Sequence, residues 1–380
     1  NLAADSTSKP LNCGIRDNWQ QHNWPKFLYD LSGFEDVLFT FAERTGRAGG
    51  LLKGLAAEAQ METSIEMMVV EAIKTSAIEG ELLSRKDVMS SIRNNLGLVP
   101  EAPGGDKRAA GAAALMIEVR NSFAESLSEE MLLGWHRMIM QGHRHIAAGC
   151  WRTHAEPMQV VSGPVGHERV HFEAPPSATV PEEMTRFIQW FNDTAPGGKR
   201  EIRKAAVRSA VAHLYFETIH PFEDGNGRIG RALSEKALSQ GLGRPALLSL
   251  SRTIEANRNQ YYEALQEGQQ SNEITAWVSW FVHMVLEAQI QAEEQIEFTL
   301  KKTRLFDRWK DQLNDRQIQI LLRMLDEGPT GFEGGMSAKK YMTITGASKA
   351  TATRDLQDLA DKGIVVPAGG GRSIHYKINL

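Results

Sequence analysis

The chain of 380 residues carries 43 basic and 47 acidic side chains, a net charge of −4, and is 42% hydrophobic. That balance describes a globular protein rather than a disordered or fibrous one, and it excludes whole-chain electrostatic capture of nucleic acid or an anionic membrane. No apolar run approaches the ~18 residues of a membrane span, and the N-terminal stretch lacks a signal-peptide apolar region. Two cysteines, Cys13 and Cys150, are too few for a disulfide framework and form no metal pair, so the expected setting is cytoplasmic.

At ~100 to 200 residues per domain the length predicts two or three domains. The first begins with Trp19, Trp24, Phe27 and Tyr29, enough aromatic mass to dock that segment. Apolar residues at helical spacing follow from about Glu35 to Lys74, and a second helix starts at Ser84, which caps it with Asp87 three residues on. Gly97 to Lys107 reads as a linker. Beyond it an Ala-rich helix covers Ala109 to Val119 and another runs from Met131 to Met140. Gln159–Val161 and Arg169–Phe172 are β-prone and are separated by turn residues, which predicts a hairpin inside a helical domain. Helices are expected over 182–192, 201–218, 227–240, 251–267 and 274–303. From about Asn314 the order becomes helix, turn, helix and a glycine-tipped hairpin, which is the order of a winged helix. The parts are therefore 1–96, 97–310 and 311–380.

Chemistry concentrates in the run from His220 to Arg231. A histidine near neutrality serves as a general base towards a hydroxyl. Asp224 is a hard carboxylate of the kind that holds magnesium among phosphate oxygens. Gly225 and Gly227 let backbone amides approach an anion at a helix start. Arg228 and Arg231, three apart on that first turn, can both reach one polyphosphate as bidentate donors. A base, a metal carboxylate and an anion cradle together point to phosphoryl-group chemistry.

The run HPFEDGNGRIGR matches HPFxDGNGRxxR at all nine specified positions, and on these residues the chain resembles the Fic family. The resemblance implies a mainly α fold, with an all-helical Fic core, a β-hairpin flap and a C-terminal winged-helix domain. It implies ATP and Mg2+, and transfer of AMP to a Ser, Thr or Tyr hydroxyl of a target protein, or of the protein itself. His220 is then the base, Asp224 the metal ligand and Asn226 the positioner of the α-phosphate. Arg228 and Arg231 hold the β- and γ-phosphates, with Gly225, Gly227, Ile229 and Gly230 completing the nucleotide-binding run. Thr75 to Gly80 is similar to the (S/T)xxxE(G/N) inhibitory motif of many Fic proteins, which implies that Glu79 pairs with Arg231 and blocks productive ATP. The same carboxylate could instead orient a water that removes AMP, and transfer of another nucleotide also stays open.

Gly149 to Arg152 and the hairpin after it resemble the family's flap. Val160, Val161 and Arg169 would pair with the target backbone, and Val170, His171, Phe172 and Glu173 would cover the nucleotide. Tyr261 and Tyr262 are similar to the aromatic pair beside adenine, and Gln269 stands where some relatives carry Asn. Trp19 to Asp30 is similar to the N-terminal region of a bacterial Fic subgroup that ends in a winged helix, and that subgroup implies a homodimer. Residues 331–380 carry seven Lys or Arg against four Asp or Glu. With Lys349 and Arg354 on the second helix and Arg372 near the wing tip, this part could instead belong to a DNA-binding regulator, or could dock protein.

Overall fold

The computed structural model describes residues 17–100, 105–143, 145–162, 169–328 and 331–380. The chain is mainly α-helical. Five helices come first: α1 (Glu35–Lys53), α2 (Ala57–Ile78), α3 (Arg85–Asn95), α4 (Lys107–Asn121) and α5 (Glu129–Ile139). An antiparallel hairpin of β1 (Gln159–Ser162) and β2 (Arg169–Glu173) follows, with a register shift between Val160 and Val161. Then come α6 (Val180–Asp193), α7 (Ala205–Ile219), α8 (Asn226–Leu242), α9 (Leu250–Ala256), α10 (Arg258–Gly268) and α11 (Thr275–Trp309). The C-terminal elements are α12 (Asp315–Leu325), α13 (Ala338–Thr345), α14 (Lys349–Asp361), β3 (Val365–Ala368) and β4 (His375–Ile378). No helix among the described residues is long and apolar enough to cross a membrane.

The chain packs as two compact units, one of residues up to 43 with 65–289, the other of 44–64 with 290–380. In the first, α7 is the axis, because every residue from Ala206 to Ile219 is buried. A helix buried all round must satisfy its polar side chains internally. Arg208 does so by donating to the carbonyls of Phe191 (2.7 Å) and Ala237 (3.1 Å). Phe187, Phe191, Tyr215, Phe216 and Phe222 fill the surrounding core. The N-terminal aromatics dock here: Trp24 packs edge-on against Tyr215 at 5.1 Å, and Trp19 Nε1 donates to the Glu173 carbonyl at 2.7 Å.

In the second unit α12, α13, α14 and the β3–β4 hairpin enclose Ile320, Leu321, Tyr341, Leu356, Leu359 and Tyr376. Buried Asp355 ties three helices together, accepting from Tyr341 Oη at 2.7 Å and Arg316 Nε at 3.0 Å.

Several helix limits differ from the pattern-based expectation. The run from Glu35 to Lys74 is two helices, broken at residues 54–56, where the Leu55 carbonyl is taken by Gln60 Nε2 (2.8 Å). The run 251–267 breaks at Asn257, whose φ of −118° is not helical. Residues 201–204 are not helical and α7 starts only at Ala205, while α11 runs on to Trp309.

Candidate active site

α7 ends at His220, which takes a left-handed conformation (φ 50°, ψ 59°) and is the one non-glycine residue with positive φ among those described. The main chain reverses through Pro221 to Asp224 and re-enters a helix at Asn226, with Gly225 (φ 82°) as left-handed N-cap. The positive φ calls for glycine here, and a side chain at this position would also press on the tips of Ile139 and Met140. Two clasps hold this loop. The Asn226 side chain closes it from within, accepting from the Phe222 amide at 2.9 Å and donating to the Phe222 carbonyl at 2.8 Å. From outside, buried Arg152 donates Nε to the His220 carbonyl (2.8 Å) and Nη1 to Ser177 Oγ (2.8 Å), while its own amide bonds the Pro221 carbonyl at 2.9 Å. Arg152 thus joins the loop to the base of the hairpin. Burial without a carboxylate partner lowers its pKa to about 10.

The His220 imidazole is mostly covered, and burial with the nearby Arg152 charge lowers its pKa to about 4. It is therefore neutral at physiological pH and able to accept a proton. Asp224 is about half exposed, and its Oδ1 accepts the Gly225 amide at 2.5 Å. No group of three or more His, Cys, Asp or Glu able to hold a metal occurs among the described residues. One half-exposed carboxylate suits a magnesium ion that keeps waters and takes its other oxygens from a nucleotide.

The arginines of α8 are both buried and both paired. Arg231 donates Nε to Thr75 Oγ1 (2.8 Å), and Nη2 to the Thr75 carbonyl (3.0 Å) and Glu79 Oε1 (2.7 Å). Burial opposes its charge, but the combined pull of Glu79, Tyr261 and Glu217 outweighs that and raises its pKa above the ordinary arginine range. The Glu79 carboxylate lies against Gly227, where any Cβ would collide with Oε1. Arg228 donates Nη1 to Glu81 Oε2 at 2.9 Å, and Glu81 Oε1 in turn meets His143 Nε2 at 3.0 Å.

These groups border a cavity of about 650 Å³ walled by Glu79, Glu217, His220, Gly227 and α10, and roofed by Gln159, Val160 and Phe172 of the hairpin. Tyr261 and Tyr262 line it, as does Gln269, whose Nε2 donates to the Glu217 carbonyl at 3.2 Å. Tyr261 is buried with its hydroxyl 2.8 Å from His213 Nε2, while Tyr262 presents a partly exposed ring next to Arg258. Phe172 is buried. The side chains of Val161, Arg169, Val170, His171 and Arg372 lie outside the described residues, as does Cys13. The Asn226 amide, expected at a phosphate, bonds the Phe222 main chain at both ends, where the tight reversal leaves that residue's amide and carbonyl in need of partners.

Pattern reading passed over four participants. Thr75 appeared only as a motif letter, Glu81 was not singled out, and Glu217 was hidden inside an apolar helix run. Arg152 entered as part of the flap and turns out to staple the motif loop.

Residues 126–238 match the model of the Fic/DOC family. Residues 18–98 match a domain of unknown function (DUF4172), and residues 333–379 match the C-terminal domain described as transcriptional regulator DIP2311-like. With the motif loop and the paired arginines in place, residues 126–238 form a domain of the Fic/DOC family. A probable protein adenylyltransferase of Aquifex aeolicus is 30% identical over 99 residues, 26% of this chain and 27% of that protein. The protein adenylyltransferase Fic of Nematostella vectensis is 29% identical over 145 residues, 38% and 29% of the two chains. The chain spans less than half the length of the curated relatives it matches. A Fic family protein from Desulfovibrio desulfuricans superposes with a TM-score of 0.55 at 20% identity, covering 93% of this chain and 98% of that one. A Fic-domain signalling protein from Bacteroides thetaiotaomicron gives 0.53 at 16%, covering 69% and 97%. These two likenesses concern the fold.

Proposed function

We propose that the protein transfers AMP from ATP to a protein hydroxyl and that Glu79 restrains this reaction. The observation that carries the reading is the placing of Glu79: it lines the cavity, while the Arg231 guanidinium it pairs with at 2.7 Å is buried. The carboxylate thus stands where the last anionic group of a polyphosphate would meet that arginine. A pocket of this size accommodates a nucleotide. Neutral His220 takes the proton of the target hydroxyl as its oxygen bonds to the α-phosphorus. The bond from that phosphorus to the bridging oxygen breaks and pyrophosphate leaves. Arg228 and Arg231 bind the departing phosphates and neutralise their charge. Asp224 would hold Mg2+, which when bound supplies further charge neutralisation between phosphate oxygens. The edge of the β1–β2 hairpin offers backbone groups to an extended target segment, and the protein's own hydroxyls are among the substrates to be examined.

The test is incubation of wild type, Glu79→Gly and His220→Ala with labelled ATP and lysate. Strong labelling by Glu79→Gly, weak labelling by wild type and none by His220→Ala is expected. Equal labelling by all three would overturn the reading. Net loss of AMP from a premodified target would instead assign the Glu79 carboxylate to removal.

A second reading concerns residues 333–379, where the match to a regulator's C-terminal domain coincides with exposed Lys349 and Arg354 on α14. This segment then acts as a winged helix with α14 in the major groove. A steep salt-dependent shift of duplex DNA supports that, and no binding at low salt removes it.

A further inference from the structure

Glu217 lies one helical turn before His220 on α7 and is buried. Its Oε2 stands 3.7 Å from His220 Nδ1. Neither Glu217 Oε1 nor His220 Nδ1 has a hydrogen-bond partner among the described residues. The neighbouring helix makes room for this carboxylate, since a Cβ at Gly230 would collide with Oε1. Glycine here belongs to the interior of α8, where it is a poor helix former, so the space is kept at a cost in local stability. The Glu217 carbonyl is a second acceptor facing the ring, and it also accepts from Gln269 Nε2 at 3.2 Å.

We propose that Glu217 is a positioning residue that sets the tautomer of His220, its carboxylate accepting a hydrogen bond from Nδ1–H so that Nε2 is left free as the base. The inference rests on the assignment of His220 as the base of AMP transfer. A modest rotation of either side chain closes the 3.7 Å separation, and catalytic hydrogen bonds are commonly this loose before substrate binds. An orienting acid behind a histidine base is the same arrangement by which hydrolytic triads hold their imidazole, and the wrong tautomer there is severely damaging.

The charge state of Glu217 makes the arrangement testable. Burial raises its pKa to about 8; Arg231 on α8 pulls it down and Glu79 at the end of α2 pushes it up. Tyr261 of α10, His213 one turn earlier on α7, and His220 also face it. Below that pH the protonated carboxyl donates to Nδ1 and the proton of neutral His220 sits on Nε2. Above it, Nδ1–H donates to the carboxylate and Nε2 becomes the acceptor. Transfer by the Glu79→Gly protein should therefore rise between about pH 7 and 9. Removing the Glu79 charge moves the rise to the lower part of that range.

Two measurements decide. In the Glu79→Gly background, adding Glu217→Gln should lower kcat by about tenfold to a hundredfold, abolish the alkaline rise and leave ATP binding intact. An unchanged kcat, or a lowered kcat with the same pH profile, overturns the proposal. Independently of activity, nitrogen NMR of the full chain labelled at histidine, with His220→Ala to assign the signal, should show the His220 tautomer changing across pH 6.5 to 9 and not changing in Glu217→Gln. A wild-type tautomer constant over that range overturns the proposal even if transfer is never detected. Absence of transfer by Glu79→Gly at every pH, with the tautomer change present, counts against the adenylyltransferase reading alone.

Discussion

Arg228 and Arg231 sit one turn apart on the same helix, are equally buried, and are held in different ways. Arg231 is enclosed by one short stretch of α2 and its end, with Thr75 binding through both hydroxyl and carbonyl and Glu79 through its carboxylate. Arg228 is held by Glu81, which is shared with His143, and by Asp224 at 3.5 Å. Only one of these carboxylates, Glu79, walls the cavity. Two cations that the motif presents as equivalent are therefore governed unequally: freeing Arg231 opens a cationic end to the pocket, whereas freeing Arg228 leaves Asp224 still beside it.

The sharpest way to break this comparison is Arg231→Ala in the Glu79→Gly background, which should lower transfer by about 10² to 10³, as loss of a charge-stabilising donor does. Retained rates would show that Arg231 binds no phosphate. Glu79→Gly alone should raise target or self-labelling by about tenfold to a hundredfold, since a charge-assisted hydrogen bond is worth about 1.5–3 kcal/mol and each 1.4 kcal/mol is a factor of ten. Glu81→Gln should raise it by less than Glu79→Gly does, because Asp224 stays beside Arg228 when Glu81 loses its charge. A Glu81 effect equal to that of Glu79 would erase the distinction.

The smallest effect concerns the buried histidine behind each arginine. Burial, opposed by contacts to Asp224, lowers His136 to about 4, and its near neighbour Arg228 lowers it further. Burial and Arg231 lower His213 to about 3. In both cases the unfolded chain binds a proton that the folded one refuses, between an unfolded pKa of 6.5 and the folded value. The stability they provide is whole above about pH 6.5 and declines as pH falls towards 4. A thermal midpoint that drops over this window, and drops less steeply in His213→Gln, is the expected result. Equal slopes would place the acid sensitivity elsewhere.

What could be read from the chain beforehand was whatever local chemistry makes recurrent. The motif loop needs glycine at a left-handed cap, a base and paired cations at fixed offsets, so it is written contiguously. The hairpin was visible through β-prone runs about a turn, and the capped start of α3 through Ser84, whose Oγ accepts the Asp87 amide. The break between α9 and α10 was not visible, because Asn257 interrupts a run of good helix formers by main-chain conformation alone. Glu217 escaped notice for a different reason. On a helix buried on every side, periodicity carries no information about which face meets a site, and a lone acid in an apolar stretch gains meaning only when the glycine opposite it is known. The Asn226 clasp was likewise hidden, since its partner is main chain, which every residue supplies.

The left-handed His220 has a consequence for how this chain can change over time. A residue with a Cβ loses about 1–2 kcal/mol in that conformation and glycine loses almost nothing. Folding alone would therefore choose glycine where the proposed base stands, and His220→Gly should melt higher than His220→Ala although neither carries the imidazole. A lineage freed from its chemistry would gain stability by drifting to glycine at this codon.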